Sequence, residues 1–353
     1  PPRSTPSNSS AASDVYKRQV FLLLVYSLLT SAYSVKITEA ASLNLELYSD
    51  KESYEIGEDI TLNGTLNLDG TPVTDALVLI QINKSDGTLW LVRTLPTGTN
   101  ATTKKWSLEV ISVTPLPSSS LERGDMLGLC ISVQNNDPFD RQTLMVVSLI
   151  HETGIPLKVK TIANVTIRAN KTETYWFSNV FSIPDDAPNG NATVYVSLIT
   201  DIPSKGGWAW GLEGQTAITI GSVGGSQQHE AEQIEGGFIL KVKTKNVYAQ
   251  LGNYTVYASV LYVKPPRAYA DSASMTFEII LTGDLTGPDG IPDGKVDIRD
   301  VAFVATRFGT QEGDPNWDPK ADLTGPENTP DGKVDIRDIA LVAFNYGKIG
   351  IYP

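Results

Sequence analysis

The chain has 353 residues, a formal net charge of −12 at pH 7 and a hydrophobic fraction of 41%. Excess negative charge repels phosphate backbones, which argues against nucleic acid as a partner. The single cysteine, Cys130, excludes an internal disulfide and predicts a small core residue. The two histidines, His151 and His229, provide no cluster for a His/Cys metal site.

The first 34 residues are predicted to lie outside the folded protein. Residues 14–19 read DVYKRQ, the in-frame translation of a transposon end used in sequencing libraries, so 1–19 are expected to be an artefactual or disordered tail. The apolar run that follows has about ten residues, too few to span a bilayer but enough for a secretory signal. We therefore predict a truncated signal peptide over 20–34. An uncleaved membrane anchor is the alternative.

Glycosylation signals agree with export of the protein. Seven Asn-x-Ser/Thr sequons lie between Asn63 and Asn253, ahead of the C-terminal repeats described below, and such sequons accept glycans on exported chains. They predict a secreted, extracellular or cell-surface glycoprotein. The sequon asparagines are Asn63, Asn83, Asn100, Asn164, Asn170, Asn191 and Asn253.

Two segments that are distant in sequence each contain part of a β-sandwich. The segment 36–100 has four predicted strands, at 43–48, 59–68, 76–83 and 88–94, and 236–282 has three, at 238–247, 252–263 and 273–281. The stretch YEIGEDITLNGTLNLDGTPV, from Tyr54, resembles the front half of immunoglobulin-like surface modules. Such a sandwich needs about seven strands. We therefore predict one discontinuous immunoglobulin-like domain that combines 36–100 with 236–282.

The intervening segment, 104–221, has a full set of strands of its own. They are predicted near 106–113, 125–134, 143–151, 157–167, 173–182, 191–200 and 215–220. This alternating pattern resembles the CARDB-like and related immunoglobulin-like modules of archaeal and bacterial surface proteins. A Gly-, Ser- and Gln-rich linker, 221–228, follows it. The resemblance implies a second sandwich inserted into the first.

Trp208 and Trp210 form an aromatic pair in a Gly-rich loop of the second sandwich. Indole rings at the end of a sandwich can stack on sugars, which makes these residues candidates for carbohydrate binding. Large aromatic side chains also fold back over a core, and that alternative stays open. No arrangement of nucleophile, base and oxyanion donors is recognisable in the sequence, so the prediction is that the protein is not an enzyme.

The C-terminal part contains a sequence repeat. DLTGPDGIPDGKVDIRDVAFVATRFG begins at Asp284, and DLTGPENTPDGKVDIRDIALVAFNYG begins 38 residues later, at Asp322. Carboxylates recur at matching positions around an Asp-Gly turn, and neither copy contains His or Cys. Hard cations such as Ca²⁺ prefer six to eight oxygen ligands in a loop with a central glycine. The repeat therefore predicts two Ca²⁺ sites, one in each copy.

These tandem loop-and-helix units resemble a dockerin module of type I, the calcium-binding partner of cohesin domains. The resemblance covers 283–348. The family loop is shorter and has Asn where Thr286 and Thr324 stand, so the third ligand is either the Thr oxygen or Asp289 and Glu327. The implied metal-site residues are Asp284, Thr286, Asp293, Lys295, Asp297, Asp300, Asp322, Thr324, Asp331, Lys333, Asp335 and Asp338.

A short amphipathic helix is predicted after each loop, with Asp297 and Asp335 as N-caps. The apolar stripes are expected to pack against each other; they comprise Ile298, Val301, Ala305 and Phe308 in one helix and Ile336, Ile339, Ala343 and Tyr346 in the other. Arg299 and Arg337 either face an acidic surface of the partner or pair with loop carboxylates.

The predicted fold is mainly β, with two immunoglobulin-like β-sandwiches followed by a small all-α dockerin-like calcium-binding module. The predicted function is a secreted or cell-surface, non-catalytic protein that docks to a cohesin-like partner. One alternative is a carbohydrate-binding accessory protein of a polysaccharide-degrading system. The other is a structural spacer of a surface layer or adhesin.

Overall fold

The computed structural model describes residues 41–221, 232–245 and 247–353. The predicted tail and signal peptide, together with most of the Gly-rich linker, lie outside these residues. The described part is mainly β, as predicted. Its strands are, in chain order, β1 (Leu43–Ser49), β2 (Ser53–Glu55), β3 (Asp59–Leu68), β4 (Thr71–Pro72), β5 (Leu77–Asn83), β6 (Leu89–Pro96), β7 (Leu108–Leu116), β8 (Ser120–Leu121), β9 (Met126–Asn135), β10 (Arg141–His151), β11 (Pro156–Ile167), β12 (Thr172–Ser182), β13 (Gly190–Ile199), β14 (Gly214–Ile220), β15 (Glu232–Ile234), β16 (Gly237–Lys243), β17 (Val247–Gln250), β18 (Gly252–Lys264), β19 (Arg267–Ile280) and β20 (Ile349–Ile351).

The strands that flank the central segment form two sheets together. Sheet 1 has the order β1-β3-β16-β15, with β4 on β3, and sheet 2 has the order β2-β19-β18-β5-β6. In sheet 1 Leu240 lies opposite Leu62, and in sheet 2 Val256 lies opposite Ile82. Strands from before residue 97 therefore pair with strands from after residue 236, which is the pairing that the strand count predicts.

The central segment supplies the other two sheets. Sheet 3 has the order β11-β10-β13-β14-β8, and sheet 4 has the order β12-β9-β7. Alternate residues of β9 face inwards, from Leu127 to Val133, and pack with residues of β10 and β13 in one apolar core. Cys130 belongs to the opposite face of β9 and is half-buried. The prediction that it is a core residue is wrong, because the strand alternation places it on the outer face of sheet 4.

Sheets 2 and 3 pack on each other, so β5 and β6 of sheet 2 and the central parts of β10 and β13 of sheet 3 are buried on both faces. β6 contacts β10, β11 and β13. Leu79 and Val92 from sheet 2 form an apolar cluster with Val146 and Ile199 from sheet 3. As a result β5 is buried at every position before its last residue, whereas a strand with one solvated face alternates. The sheets contact one another in the order 1, 2, 3, 4.

Helices are few in the described part. A single turn, α1 (Thr99–Thr103), links β6 to β7, and the C-terminal part carries α2 (Ile298–Ala305) and α3 (Ile336–Asn345). After α3 the chain continues as β20, which pairs in parallel with β17. Since β17 lies between β16 and β18 in the chain, this pairing joins the C-terminal repeats to the β part.

Candidate metal loops and helix surface

The two repeats fold into loops with the same hydrogen bonds. In each loop the leading aspartate accepts hydrogen bonds from two backbone N–H groups of the Asp-Gly turn. These bonds hold the turn against the start of the loop. The glycine of each turn has φ near +80°, a conformation that favours glycine. In the first loop Asp293 (3.1 Å) and Gly294 (2.8 Å) donate to Asp284, and in the second loop Asp331 (3.2 Å) and Gly332 (2.7 Å) donate to Asp322.

The carboxylates that close the loops are fully buried at the start of the helices. Oδ1 of Asp300 accepts the N–H groups of Leu285 (2.8 Å) and Thr286 (2.9 Å), and Oδ2 accepts that of Asp297 (2.8 Å). Asp338 makes the corresponding three bonds in the second loop. Asp297 and Asp335 cap α2 and α3 in complete capping boxes, so the N-cap predictions are confirmed.

Arg299 and Arg337 each pair with carboxylates of their own loop, one of the two arrangements that the sequence left open. Nη2 of Arg299 lies 3.0 Å from Oδ2 of Asp293 and also bonds Asp297. Arg337 pairs in the same way with Asp331 (3.1 Å) and Asp335. The hydrogen bonds from these arginines lower the pKa of Asp297 and Asp335, which keeps both carboxylates ionised.

The first loop differs from the second at two atoms. Oδ1 of Asp293 is buried and has no hydrogen-bond partner among the described residues. Asp284 accepts a further bond, 2.9 Å, from the hydroxyl of Tyr352. Burial raises the pKa of Asp284, and the bonds from Tyr352 and Gly294 counteract part of that shift. The first loop therefore holds a desolvated carboxylate beside an unpartnered carboxylate oxygen.

The other predicted metal-site residues contribute backbone groups in this structure. Thr324, like Thr286, donates its N–H to the closing aspartate. Lys295 and Lys333 have exposed side chains and bridge through the backbone to Ile349 and Gln311. The alternative ligands Asp289 and Glu327 are exposed. Within the described ranges no three His, Cys, Asp or Glu side chains are grouped as a metal site.

The apolar stripes predicted to pack the helices together are largely solvent-exposed. Ile298 is 66% exposed and its counterpart Ile336 is 64% exposed. The helices bury Val304 and Val342 instead, on the same side as Asp300 and Asp338. The stripe prediction is wrong because each loop draws its closing aspartate inwards, which turns the face that starts at Ile298 or Ile336 outwards. The other exposed apolar residues here are Phe308, Phe344 and Tyr346.

Trp208 and Trp210 are half-buried and not a free aromatic platform. Nε1 of Trp210 donates to the carbonyl of Gln142 (3.0 Å), and its ring packs on the core of sheets 3 and 4 under the guanidinium of Arg141. Trp176 is not among the predicted site residues, yet it is 70% exposed on β12. The alternation of Thr174, Trp176 and Ser178 on one face of the strand was the available signal.

None of the seven sequon asparagines is buried, so each is accessible in the folded chain. In the part of the chain that the structure describes, no helix has the length and apolar character needed to cross a bilayer.

No protein-family model matches the chain, and no curated protein matches it. Solved structures overlap the chain with low similarity. The alkylpurine DNA glycosylase AlkC of Pseudomonas fluorescens bound to DNA containing an abasic site analog is 12% identical with a TM-score of 0.26, over 34% of this chain and 32% of that chain, and a beta-glucosidase from Listeria innocua in complex with gluconolactone is 16% identical with a TM-score of 0.24, over 34% of this chain and 16% of that chain. The sporulation control protein Spo0M from Bacillus subtilis is 9% identical with a TM-score of 0.24, over 49% of this chain and 90% of that chain. This chain therefore spans less than a third of the first two proteins. At these scores the likenesses carry no argument about fold or function.

Proposed function

We propose that this chain is an exported, non-catalytic protein whose C-terminal module binds two Ca²⁺ ions and docks to a protein partner of the cohesin type. In this proposal the two β parts are immunoglobulin-like sandwiches and residues 283–348 form a dockerin-like module. The observation that carries the proposal is the duplicated apolar helix face that starts at Ile298 and Ile336, exposed beside loops rich in carboxylates.

The donors fit a hard cation. Both loops offer oxygen ligands, and in the first loop the buried Oδ1 of Asp293 has no hydrogen-bond partner among the described residues, while Oδ2 of the same carboxylate pairs with Arg299. Asp284, Asp293, Asp297 and Asp300 would hold Ca²⁺ there, as would Asp322, Asp331, Asp335 and Asp338 in the second loop. A bound cation would add positive charge inside each loop, whose carboxylates Arg299 and Arg337 now contact from one side only.

The helix surface suits a protein partner. Exposed isoleucines at the starts of both helices, with Phe344 and Tyr346 farther along the chain, form apolar area that a free surface rarely presents in duplicate. Ile298 and Ile336 are related by the repeat, as are Phe308 and Tyr346, so the resemblance to dockerins implies that either helix can lead the contact. The flanking arginines are already paired, which leaves the isoleucines as the anchors.

Calcium binding tests the metal part of the proposal. Titration calorimetry of the full chain should give two Ca²⁺ per molecule, and the Asp293→Ala/Asp331→Ala variant should give none. Hydrogen exchange of the α2 and α3 amides should accelerate in EDTA, since like-charged carboxylates then repel each other. Absence of Ca²⁺ heat together with unchanged exchange would refute the proposal.

Docking is tested on immobilised cohesin-type domains in Ca²⁺ and in EDTA. The Ile298→Asp/Ile336→Asp variant should lose calcium-dependent binding, and each single variant should keep part of it because the other helix can lead. Ile111, 56% exposed on β7, provides a matched control as Ile111→Asp. Equal binding of the double variant and the wild type would exclude this face as the interface.

A second candidate function is carbohydrate binding, and one observation favours it. Trp176 exposes most of its ring on β12, where its neighbours along the outer face are Thr174 and Ser178. Across the strand pair, Ser132 shares a 2.8 Å hydrogen bond with Thr174. A flat indole among hydroxyl groups can stack on a sugar ring while the hydroxyls bond its edges.

A further inference from the structure

The segment that follows each helix pairs with the loop of the other repeat, and we call each of these pairings an exchange. The chain after α3 pairs with the first loop, and the chain after α2 pairs with the second. Each exchange uses the same backbone bonds, so the two halves are equivalent at this level. The bonds run from Gly347 to Val296 (2.9 Å) and from Gly350 to Gly294 (2.8 Å) in one exchange, and from Gly309 to Val334 (2.8 Å) and from Glu312 to Gly332 (2.9 Å) in the other.

Among the described residues, the chain that pairs with the first loop is the one that goes on to pair with the β part. From Ile349 the chain runs along β17 as β20, and the N–H of Leu251 donates to the carbonyl of Ile351 (2.8 Å). The contact is close, since a Cβ placed on Gly350 would lie 2.7 Å from Leu251. One strand of three residues is therefore bonded to β17 on one side and to the first loop on the other.

Tyr352 extends this contact to a carboxylate of the first loop. Its hydroxyl donates to Oδ2 of Asp284, the leading aspartate, which also accepts the N–H of Gly294. The corresponding aspartate of the second loop, Asp322, accepts hydrogen bonds from Asp331 and Gly332. Position 314, which corresponds to Tyr352 in the repeat, is an aspartate and cannot donate in its ionised form.

We propose that the two loops are unequal cation sites, and that Tyr352 and β20 link occupancy of the first loop alone to attachment of the module to β17. The proposal rests on the proposed calcium function. Groups that hydrogen-bond a ligating carboxylate orient it, and their loss typically costs about 10- to 100-fold in metal affinity. Thermodynamic linkage is reciprocal, so a cation that needs Asp284 in this orientation also stabilises the β17–β20 pairing.

Variants with one active loop separate the two sites. Asp331→Ala leaves the first loop, and Asp293→Ala leaves the second. In the Asp331→Ala chain, Tyr352→Phe should weaken Ca²⁺ binding about 10-fold by calorimetry. Tyr346→Phe, which removes an exposed hydroxyl, should not change the affinity. In the Asp293→Ala chain, Tyr352→Phe should have no effect.

Hydrogen exchange at the Leu251 amide reports the attachment itself. Chelation should accelerate this exchange in the Asp331→Ala chain and leave it unchanged in the Asp293→Ala chain. Gly294→Ala should accelerate it as well, because the new Cβ would lie 2.6 Å from the carbonyl oxygen of Gly350. Gly332→Ala is the matched control: φ is +80° there against +81° at Gly294, but no atom of the described residues lies within 4 Å of the added Cβ.

Three results decide the inference. The inference is supported if Tyr352→Phe weakens Ca²⁺ binding at the first loop alone and if Ca²⁺ slows hydrogen exchange at the Leu251 amide. Binding of two Ca²⁺ with equal effects of Tyr352→Phe on both loops, or with none, overturns it and leaves the calcium function intact. If the wild-type chain binds no Ca²⁺, the calcium function fails and the inference fails with it.

Discussion

His151, 3% exposed at the end of β10, shows how a single buried side chain makes stability depend on pH. Its Nε2 lies 3.3 Å from the carbonyl oxygen of Asn189, and its Nδ1 accepts the N–H of Thr153 (3.2 Å). This pattern belongs to a neutral ring with the proton on Nε2. Burial lowers the pKa of His151, although the Asn189 carbonyl and the nearby Glu152 carboxylate oppose the shift.

The sign of the pH effect follows from this lowered pKa. In the unfolded chain His151 takes up a proton below about pH 6.5, before the folded chain does, so acid favours unfolding. We expect the free energy of unfolding to fall as pH drops through 6.5, by at most about 1.4 kcal/mol per pH unit from this group. Urea denaturation between pH 5 and 7.5 should show a shallower slope for His151→Gln. An identical slope in the variant would rule out this assignment.

At the scale of single elements, the edge strand β12 packs the aromatic residues of its inner face against the core but leaves the apolar residue of its outer face, Trp176, exposed. Tyr175 and Phe177 stack on each other on the inner side and pack against the core, while Trp176 faces outwards. Burying an indole ring normally stabilises a protein, so the exposed ring of Trp176 adds little to stability and is free to contact a ligand.

The prediction for β12 uses its exposed ring directly. If Trp176 stacks on sugars, Trp176→Ala should abolish retardation of the chain in gels that contain soluble polysaccharide, with little effect on stability because the ring is exposed. Phe139, 67% exposed in the loop after β9, is the matched control as Phe139→Ala. The carbohydrate candidate fails if the wild-type chain migrates equally in every gel.

At the scale of the whole molecule, sheets 2 and 3 are joined by polar bonds as well as apolar contacts. Arg93 on β6 pairs with Glu213 of the central segment at 2.6 Å, and both side chains are almost fully buried. Burial alone would lower the pKa of Arg93, but the Glu213 carboxylate beside it outweighs burial and raises the pKa. Ser148 on β10 donates to the carbonyl oxygen of Val92 (2.7 Å). The central segment is therefore attached to sheet 2 by buried polar bonds as well as by apolar packing.

The shared sheets predict how the chain responds to truncation. A chain ending at residue 231 lacks β16 and β18, the partners of β3 and β5, so the remaining strands of sheets 1 and 2 cannot cover their apolar faces. We expect the β3 and β5 amides to exchange freely while those of β9 and β13 stay protected. A chain ending at residue 282 keeps all these strands and serves as the control. Persistent protection of β3 in the shorter chain would disprove this dependence.

Features that depend on near neighbours in the chain could be predicted from the sequence. Period-two alternation placed the main strands of the β part, and Asp297 and Asp335 placed both N-caps, because strand pleat and helix caps involve residues a few positions apart. The repeat likewise indicated two loops of one design. The calcium ligands and the docking role stay predictions.

Which faces are covered could not be predicted from the sequence, because that depends on elements far away in the chain. The outward turn of Ile298 and Ile336 follows from burial of Asp300 and Asp338, and an apolar stripe does not show which element packs on it. β5 loses its solvated face because sheet 3 lies against sheet 2. The contact of Tyr352 with Asp284 spans 68 residues, and a β20 of three residues has no periodicity to reveal it. These features depend on packing between residues that are distant in sequence, and the local sequence pattern does not contain that information.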